Sequence, residues 1–72
     1  MPQKYQIRQH VSWNYAGHTA RGQIKEAFNK KVTRSIGDTK VTRNASDDEP
    51  AYLIEQDDGA RVLKSESELS KA

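Results

Sequence analysis

An alternation of apolar and polar positions marks the first predicted strand. Over residues 10–15, Val11, Trp13 and Tyr15 share one side, and polar side chains occupy the other. A period of two is typical of a strand with one buried face. The Ala-Gly pair at residues 16–17 supplies a turn at its end. This pattern predicts a strand whose apolar side chains enter a core.

The next segment, residues 19–32, fits two periodicities. A period of two places four residues on one face, with Glu26 as the misfit: Ala20, Gly22, Ile24 and Phe28. A period of 3.6 gives a helical stripe instead: Ala20, Ile24, Ala27, Phe28 and Val32. Gly22 argues against a helix, and a strand would need a bulge or bend at that glycine. From this pattern alone the two structures are nearly equal alternatives.

The rest of the chain predicts three more strands and a helical turn. A turn at Gly37-Asp38 leads into a short strand over residues 40–44. Residues 51–56 form the most apolar strand, and the DDGA turn joins it to a partner strand over residues 60–65. Ser65 and Glu68 make a capping box for one C-terminal helical turn. Five short strands in a single domain of residues 1–72 predict an all-β fold. A small bent barrel is favoured, because closure removes exposed edges.

The same alternation predicts which side chains form the interior. The expected core residues are Val11, Trp13, Ile24, Phe28, Val41, Leu53 and Val62. Tyr52 and Ile54 point away from Leu53, so their strand is apolar on both faces. Either the bent second strand or a partner must cover the second face, and a strand of this kind indicates a contact surface.

The net charge of +2 hides an asymmetry between the two halves of the chain. Residues 1–43 contain nine Lys or Arg against two acids, and residues 44–72 contain three against eight. A basic half can bind nucleic acid. We prefer the simpler interpretation that basic and acidic strands lie side by side and neutralise each other.

The acidic residues match no catalytic or metal-binding motif. Placing Gly59 at the glycine of a calcium loop puts Ile54 and Ser65 at ligand positions that require carboxylates. Paired-carboxylate catalysis needs two acids converging on one pocket, but residues 47–49 and 57–58 fall in predicted loops. The chain has no cysteine, and its histidines have no matched serine spacing. We expect a protein that is not an enzyme, with no catalytic residue, metal site or cofactor.

The N-terminal sequence MPQKYQIRQH has no apolar run of the kind found in signal peptides. No later stretch is apolar and long enough to span a membrane. We therefore expect a cytoplasmic protein without membrane association.

Three stretches resemble the hypervirulence-associated TUDOR-domain family of small microbial proteins: VSWNYAGHTARGQI, VTRNASDDEPAYLIEQDDG and VLKSESEL. The most specific element is Ala45-Ser46 with acids, followed by Pro50-x-Tyr52-Leu53-Ile54 and the Asp-Gly turn. The resemblance covers roughly residues 4–70. It implies an SH3-like, Tudor-type five-stranded barrel with a short C-terminal helical turn, which favours a strand around Gly22. It implies no particular activity and no particular binding residues.

Tudor-type readers of methylated lysine or arginine hold the cation in a cage of aromatic rings. The rings lie at the end of the first strand, the start of the second and the last hairpin. Tyr15 matches the first position, but Ala20, Glu55 and Asp58 stand at the others, so the cage is incomplete. One ring beside several carboxylates suits a basic peptide or protein surface better than a nucleic acid. Alternatively, Tyr15 only covers the rim of the barrel.

We therefore predict a monomeric, non-enzymatic interaction module that binds a protein or peptide. The candidate contact residues are Tyr15, Tyr52, Glu55, Asp57 and Asp58. The alternative is a DNA- or RNA-binding barrel in which Trp13 or Phe28, if exposed, stacks on bases. Its contact residues would come from the basic segment 25–43: Lys25, Lys30, Lys31, Arg34, Lys40 and Arg43.

Overall fold

A computed structural model describes residues 5–72 as an all-β domain with antiparallel strands. The strands are β1 (His10–Tyr15), β2 (His18–Phe28), β3 (Val32–Ile36), β4 (Thr39–Arg43), β5 (Ala51–Gln56), β6 (Arg61–Ser65) and β7 (Ser70–Lys71), with a 3-10 turn at Glu66–Glu68. Five of them form one sheet in the order β6-β5-β2-β1-β7, and β3 and β4 form a separate hairpin. Residue 4, where we predict the ordered part to begin, lies outside the described residues.

A β-bulge in β2 explains the mixed periodicity of its sequence. Ile24 pairs with Ile54 and Glu26 pairs with Leu53, so Lys25 is an extra residue on the β2 side. An extra residue reverses the alternation of side chains along a strand. Ala27 therefore packs on the same side as Ile24, whereas Phe28 packs on the other side. The segment is a strand, and the helical alternative is wrong.

The predicted position of the bulge, Gly22, is also wrong, because this glycine has a different role. A Cβ atom at Gly22 would lie 2.6 Å from Cγ2 of Ile54 and 2.8 Å from the carbonyl oxygen of Glu55. Real Cβ atoms essentially never come that close to another heavy atom. Gly22 thus allows β2 and β5 to approach each other closely.

Two hydrophobic clusters lie on opposite faces of β5. The first core consists of Tyr5, Val11, Trp13, Ile24, Tyr52, Ile54 and Leu69. The second core consists of Val32, Ala51, Leu53 and Leu63, with Phe28, Ile36, Val41 and Ala45 half-buried around it. Among the predicted core residues, Phe28, Val41 and Val62 are only half-buried.

These clusters correct the prediction of a contact surface on the second face of β5. One face is covered by β1, β2 and the C-terminal turn, and the other face is covered by β6 and the β3–β4 hairpin. The chain itself therefore buries both apolar faces. The sequence analysis does not predict β3, because only Val32 and Ile36 in this strand are apolar.

The C-terminal segment agrees with the predicted capping box and adds one strand. The side chain of Glu68 accepts a hydrogen bond from the backbone N–H of Ser65 at 2.9 Å. The following strand, β7, pairs with β1 and is the fifth strand of the sheet. The predicted strand at residues 40–44 is present as β4 (Thr39–Arg43), which lies in the separate hairpin with β3. A closed barrel of five strands stays a prediction.

Candidate functional site

A groove of about 380 Å³ opens between β1, β6 and the β3–β4 hairpin. We call it the β6 groove. Its lining residues are Trp13, Tyr15, Ile36, Val41, Arg43, Gln56, Arg61, Val62, Leu63 and Lys64. The volume falls within the range of about 300–1,000 Å³ that is usual for ligand pockets.

The two aromatic residues of this groove differ in how much they can contact a partner. Tyr15 ends β1 with 66% of its surface exposed, whereas Trp13 is only 4% exposed. Tyr15 is followed by Ala16 and Gly17, both at positive φ, so a tight turn brings β2 back immediately. The Tyr15 ring is thus held at a strand end with its surface free, and Trp13 belongs to the first core.

The charged side chains that line the groove are all basic. They are Arg43, Arg61 and Lys64, and among the residues that the structure describes no carboxylate lines it. The basic groups pair loosely with acids beside the groove. Arg43 lies 3.5 Å from Glu68, Lys64 lies 3.9 Å from Glu68, and Arg61 lies 3.8 Å from Glu55.

The Arg43 and Arg61 side chains are 36% and 59% exposed, and exposed ion pairs contribute only about 0–1 kcal/mol each. Such pairs exchange partners at little cost when another carboxylate enters the groove. The groove therefore combines an exposed ring, apolar walls and cations that are available to an anionic group.

The structure separates the predicted protein-binding residues from one another. Tyr15 lines the β6 groove, but Tyr52 is completely buried and is not a contact residue. Its hydroxyl group donates to Oε1 of Glu66 at 2.7 Å and accepts from the backbone N–H of Tyr5 at 3.3 Å. Tyr52 therefore serves the first core, which corrects its predicted role.

The three acids predicted beside Tyr15 do not line its groove. Glu55 lies between Lys25 and Arg61, at 3.4 and 3.8 Å. Asp57 lines a different cavity, with His10 and Arg21. The sequence-based expectation of one ring beside several carboxylates is therefore wrong for this groove, because the charged residues that line it together with Tyr15 are basic.

The acids of the loops have structural roles that can be assigned individually. Asp58 accepts a hydrogen bond from the backbone N–H of Ala60 at 2.9 Å, inside the β5–β6 turn. Asp47 accepts from the side-chain amide of Asn29 at 2.8 Å. Asp58 therefore organises a turn, as the sequence pattern predicts, whereas Asp47 links its loop to the segment between β2 and β3. Within the described chain, no three His, Asp or Glu side chains are grouped to hold a metal ion.

Glu49 connects the loop before β5 to the C-terminal turn. Hydrogen bonds from the side chain of Ser67 and from its backbone N–H, the latter 3.0 Å from Oε2, lower the pKa of the Glu49 carboxyl group. A carboxylate that accepts such bonds is stabilised in its charged form.

The basic residues predicted for nucleic-acid binding fall into two groups. Lys25, Arg34 and Arg43 lie within 3.4, 3.4 and 3.5 Å of carboxylates. Exposed Lys30, Lys31 and Lys40 form no ion pair with any residue from 5 to 72.

The rings proposed to stack on bases are buried or partly covered. Trp13 is buried, and the guanidinium group of Arg34 lies over the half-buried Phe28 ring, 4.7 Å from its centre. The ion pair between Lys25 of β2 and Glu55 of β5 agrees with the preferred interpretation of the charge asymmetry, neutralisation between neighbouring strands. Arg34 pairs instead with Glu26 of the basic half, and Arg43 pairs with Glu68 in the 3-10 turn.

Sequence reasoning missed Arg61 and Lys64 as groove residues. Their signal was present in the order Arg-Val-Leu-Lys, where two apolar residues stand between two cations. It was overlooked because the neighbouring acids at residues 55–58 dominate the local charge.

In the described residues there is no helix long and apolar enough to cross a membrane.

A model of the domain named "Hypervirulence associated proteins TUDOR domain" matches residues 9–69. No curated protein and no solved structure matches the chain. The match covers β1 to β6 and the 3-10 turn, including the bulged β2 and the β3–β4 hairpin. Because it spans nearly the whole sequence, the chain belongs to the family of hypervirulence-associated TUDOR-domain proteins.

Proposed function

We propose that this chain is a non-enzymatic interaction module that binds an acidic peptide segment of a partner protein in the β6 groove. The observation that carries the proposal is the lining of the groove by residues 5–72: the exposed Tyr15 ring, apolar side chains, and three cations with no carboxylate among the described lining residues. Because the charged lining residues are basic, we propose an acidic partner and not the basic peptide or protein surface that the sequence suggests.

The groove suits a peptide because it offers both apolar and charged contacts over a short distance. Ile36, Val41 and Val62 supply half-buried apolar walls. Tyr15 adds a rigid ring, a residue type that is enriched at protein interfaces. The loosely paired cations can select carboxylates, since electrostatic complementarity gives specificity to an interface.

Nucleic acid is the less favoured partner. Binding of single strands depends on rings that stack on bases together with a basic surface that follows the backbone. Tyr15 is 66% exposed, but Trp13 is buried and the guanidinium group of Arg34 lies over the half-buried Phe28 ring. Binding of DNA or RNA by residues 25–43 stays a prediction, and it becomes one outcome of the test below.

The test is an NMR titration of the isotope-labelled protein with the peptide Thr-Glu-Val-Val-Glu-Thr, blocked at both ends. We expect chemical-shift changes at Tyr15 and residues 61–64. The double variant Arg61→Ala/Lys64→Ala should weaken binding by about tenfold or more, in line with the roughly 1.5–3 kcal/mol of charge-assisted hydrogen bonds.

The double variant Lys30→Ala/Lys31→Ala is the matched control, since it removes the same charge away from the groove. We expect it to bind the peptide like the parent protein. An equal loss in both variants would show unspecific charge attraction and contradict the proposal. Preferential binding of an oligothymidylate at moderate salt would support the nucleic-acid alternative instead.

A further inference from the structure

Strand β6 ends the five-stranded sheet. Its inner side pairs with β5, and no strand within residues 5–72 is paired with its outer side. Unpaired edges are templates on which an extended peptide can add a further strand.

Hydrogen bonds at both ends of β6 reveal which of its backbone groups point outward. Near its start the N–H of Gln56 donates to the carbonyl oxygen of Ala60 at 2.7 Å, and after its end the N–H of Glu66 donates to that of Pro50 at 2.8 Å. In an antiparallel pair, residues alternate between bonded and non-bonded positions. The backbone groups of Val62 and Lys64 thus face β5, and those of Arg61, Leu63 and Ser65 point outward.

Two side-chain contacts agree with this assignment. Nε of Arg43 donates to the carbonyl oxygen of Leu63 at 3.2 Å, and the N–H of Ser65 donates to Glu68 at 2.9 Å. The carbonyl oxygen of Leu63 therefore bonds to the Arg43 side chain, which a peptide N–H could replace. The N–H of Ser65 bonds to Glu68, and this bond closes the C-terminal end of the edge. Among the described residues, the backbone groups of Arg61 and the N–H of Leu63 have no hydrogen-bond partner, and β4 lies beside β6 without pairing with it.

The β6 groove follows this edge and does not lie on one face of the strand. Four consecutive residues, Arg61 to Lys64, all line it. Successive side chains of a strand point to opposite faces. A groove on a single face would include only every second residue, so this groove runs along the side of β6.

We infer that the partner segment binds by strand addition to the outer edge of β6, an inference that rests on the proposed function. The occupant is an extended acidic segment with the pattern Glu-x-x-Glu, in which x is apolar. The segment places its carboxylates opposite Arg61 and Lys64 and its apolar side chains opposite Val62 and Leu63, because cross-strand neighbours contact each other. A backbone N–H of the segment takes over the carbonyl oxygen of Leu63 and releases the Arg43 side chain.

The experiment compares the blocked peptide Thr-Glu-Val-Val-Glu-Thr with two N-methylated forms. One form carries methyl groups on the amides of the first Glu and the second Val, and the other carries them on the first Val and the second Glu. Each set removes the donors from one edge of the extended peptide. Strand addition predicts that one set weakens binding by about tenfold or more, while the other binds like the parent.

Two outcomes separate this inference from the proposed function. If both methylated forms bind like the parent peptide, or if both are weakened equally, strand addition is wrong although the acidic peptide still binds. If the parent peptide does not bind, or if Thr-Lys-Val-Val-Lys-Thr binds equally well, the proposed function fails and the inference fails with it.

A protein variant provides an independent check. Arg61→Pro removes an N–H that points outward and leaves the bonds to β5 intact, which an edge strand tolerates. Arg61→Ala is the matched control, since it removes the same charge but keeps the N–H. We expect Arg61→Pro to bind the peptide about fivefold more weakly than Arg61→Ala. The NMR signal of the Arg43 Nε–H group should also shift on binding to the parent protein, and equal affinities without that shift would contradict strand addition.

Discussion

The two hydrophobic cores of this domain share β5 but differ in how completely they are enclosed. The first core contains seven buried residues, including Tyr5, Trp13 and Tyr52, and is covered from several parts of the chain. The second core contains four buried residues and has half-buried side chains around it, among them Ile36 and Val41. Those two side chains also line the β6 groove.

Because the two cores differ in enclosure, the first core mainly determines stability, and the border of the second core mainly determines binding. The first core reaches the groove through Trp13, which is only 4% exposed, and through the half-buried Val62, and removal of its buried side chains leaves cavities. The second core opens toward the groove, so its border can exchange contacts with a peptide. We therefore expect substitutions in the first core to affect folding most, and substitutions at the border of the second core to affect binding most.

The largest expected effect is that of Ile54→Ala in the first core. Because Ile54 is fully buried, the variant should lose about 2–5 kcal/mol of unfolding free energy through lost burial and a cavity. Val41→Ala, at the border of the second core, should lose about 1 kcal/mol. Urea unfolding followed by circular dichroism measures both. Equal losses would remove the distinction between the two cores.

The next effect concerns the approach of β2 to the first core. Gly22→Ala places a methyl group against both a side chain and a carbonyl group, and it should destabilise the protein by about 1–3 kcal/mol. The double variant Gly22→Ala/Ile54→Ala tests the cause. We expect little relief, because the carbonyl oxygen of Glu55 remains in place. If the double variant unfolds at the temperature expected from Ile54→Ala alone, only the Ile54 side chain clashes with the added methyl group.

A smaller effect is expected from the polar link of the first core. Tyr52→Phe removes the hydroxyl group that bonds to Glu66 and to the N–H of Tyr5, so it should cost about 1–2 kcal/mol. Tyr15→Phe is the matched control, since the Tyr15 ring is exposed, and it should change stability by less than about 0.5 kcal/mol. A Tyr52→Phe variant as stable as the parent in urea would show that the link is not needed.

The smallest effect concerns the loop that helps to cover the second core. Ala45 packs against that core, and Glu49 ties the same loop to Ser67. The folded protein lowers the pKa of Glu49 below its ordinary value of 4.5, so this link stabilises the protein above that pH. Its contribution disappears as the pH falls through the lowered pKa.

A carboxyl NMR titration measures this link directly. Ser67→Ala removes the side-chain hydrogen bond and keeps the backbone one, so it should raise the pKa of Glu49 toward its ordinary value. The melting temperatures of Glu49→Gln and the parent should converge at low pH. A difference that stays constant with pH would assign the role of Glu49 to packing and not to its charge.

Alternation and turn chemistry predicted much of the fold but not the site. β1, β5, β6 and the capping box follow from local patterns that packing reinforces. The sequence predicts the bulge at Gly22 because glycine often marks a bulge, but a bulge needs no special residue type, and the actual extra residue is Lys25. β7 carries no apolar pattern, since it joins the sheet through its backbone. The groove depends on how β1, β6 and the hairpin meet, which no local pattern contains.

The bulge in β2 also determines which single-residue deletion this strand can tolerate. Because Lys25 is the unpaired position, its removal would leave every other side chain of β2 directed to the same core as before. Removal of Gln23 instead would turn the first half of the strand inside out and direct Gly22 away from Ile54. Thermal melts of the two single-residue deletions should therefore differ sharply, with only the first retaining a cooperative transition. The bulge is thus a position within β2 where one residue can be lost without changing which core the other side chains of the strand enter.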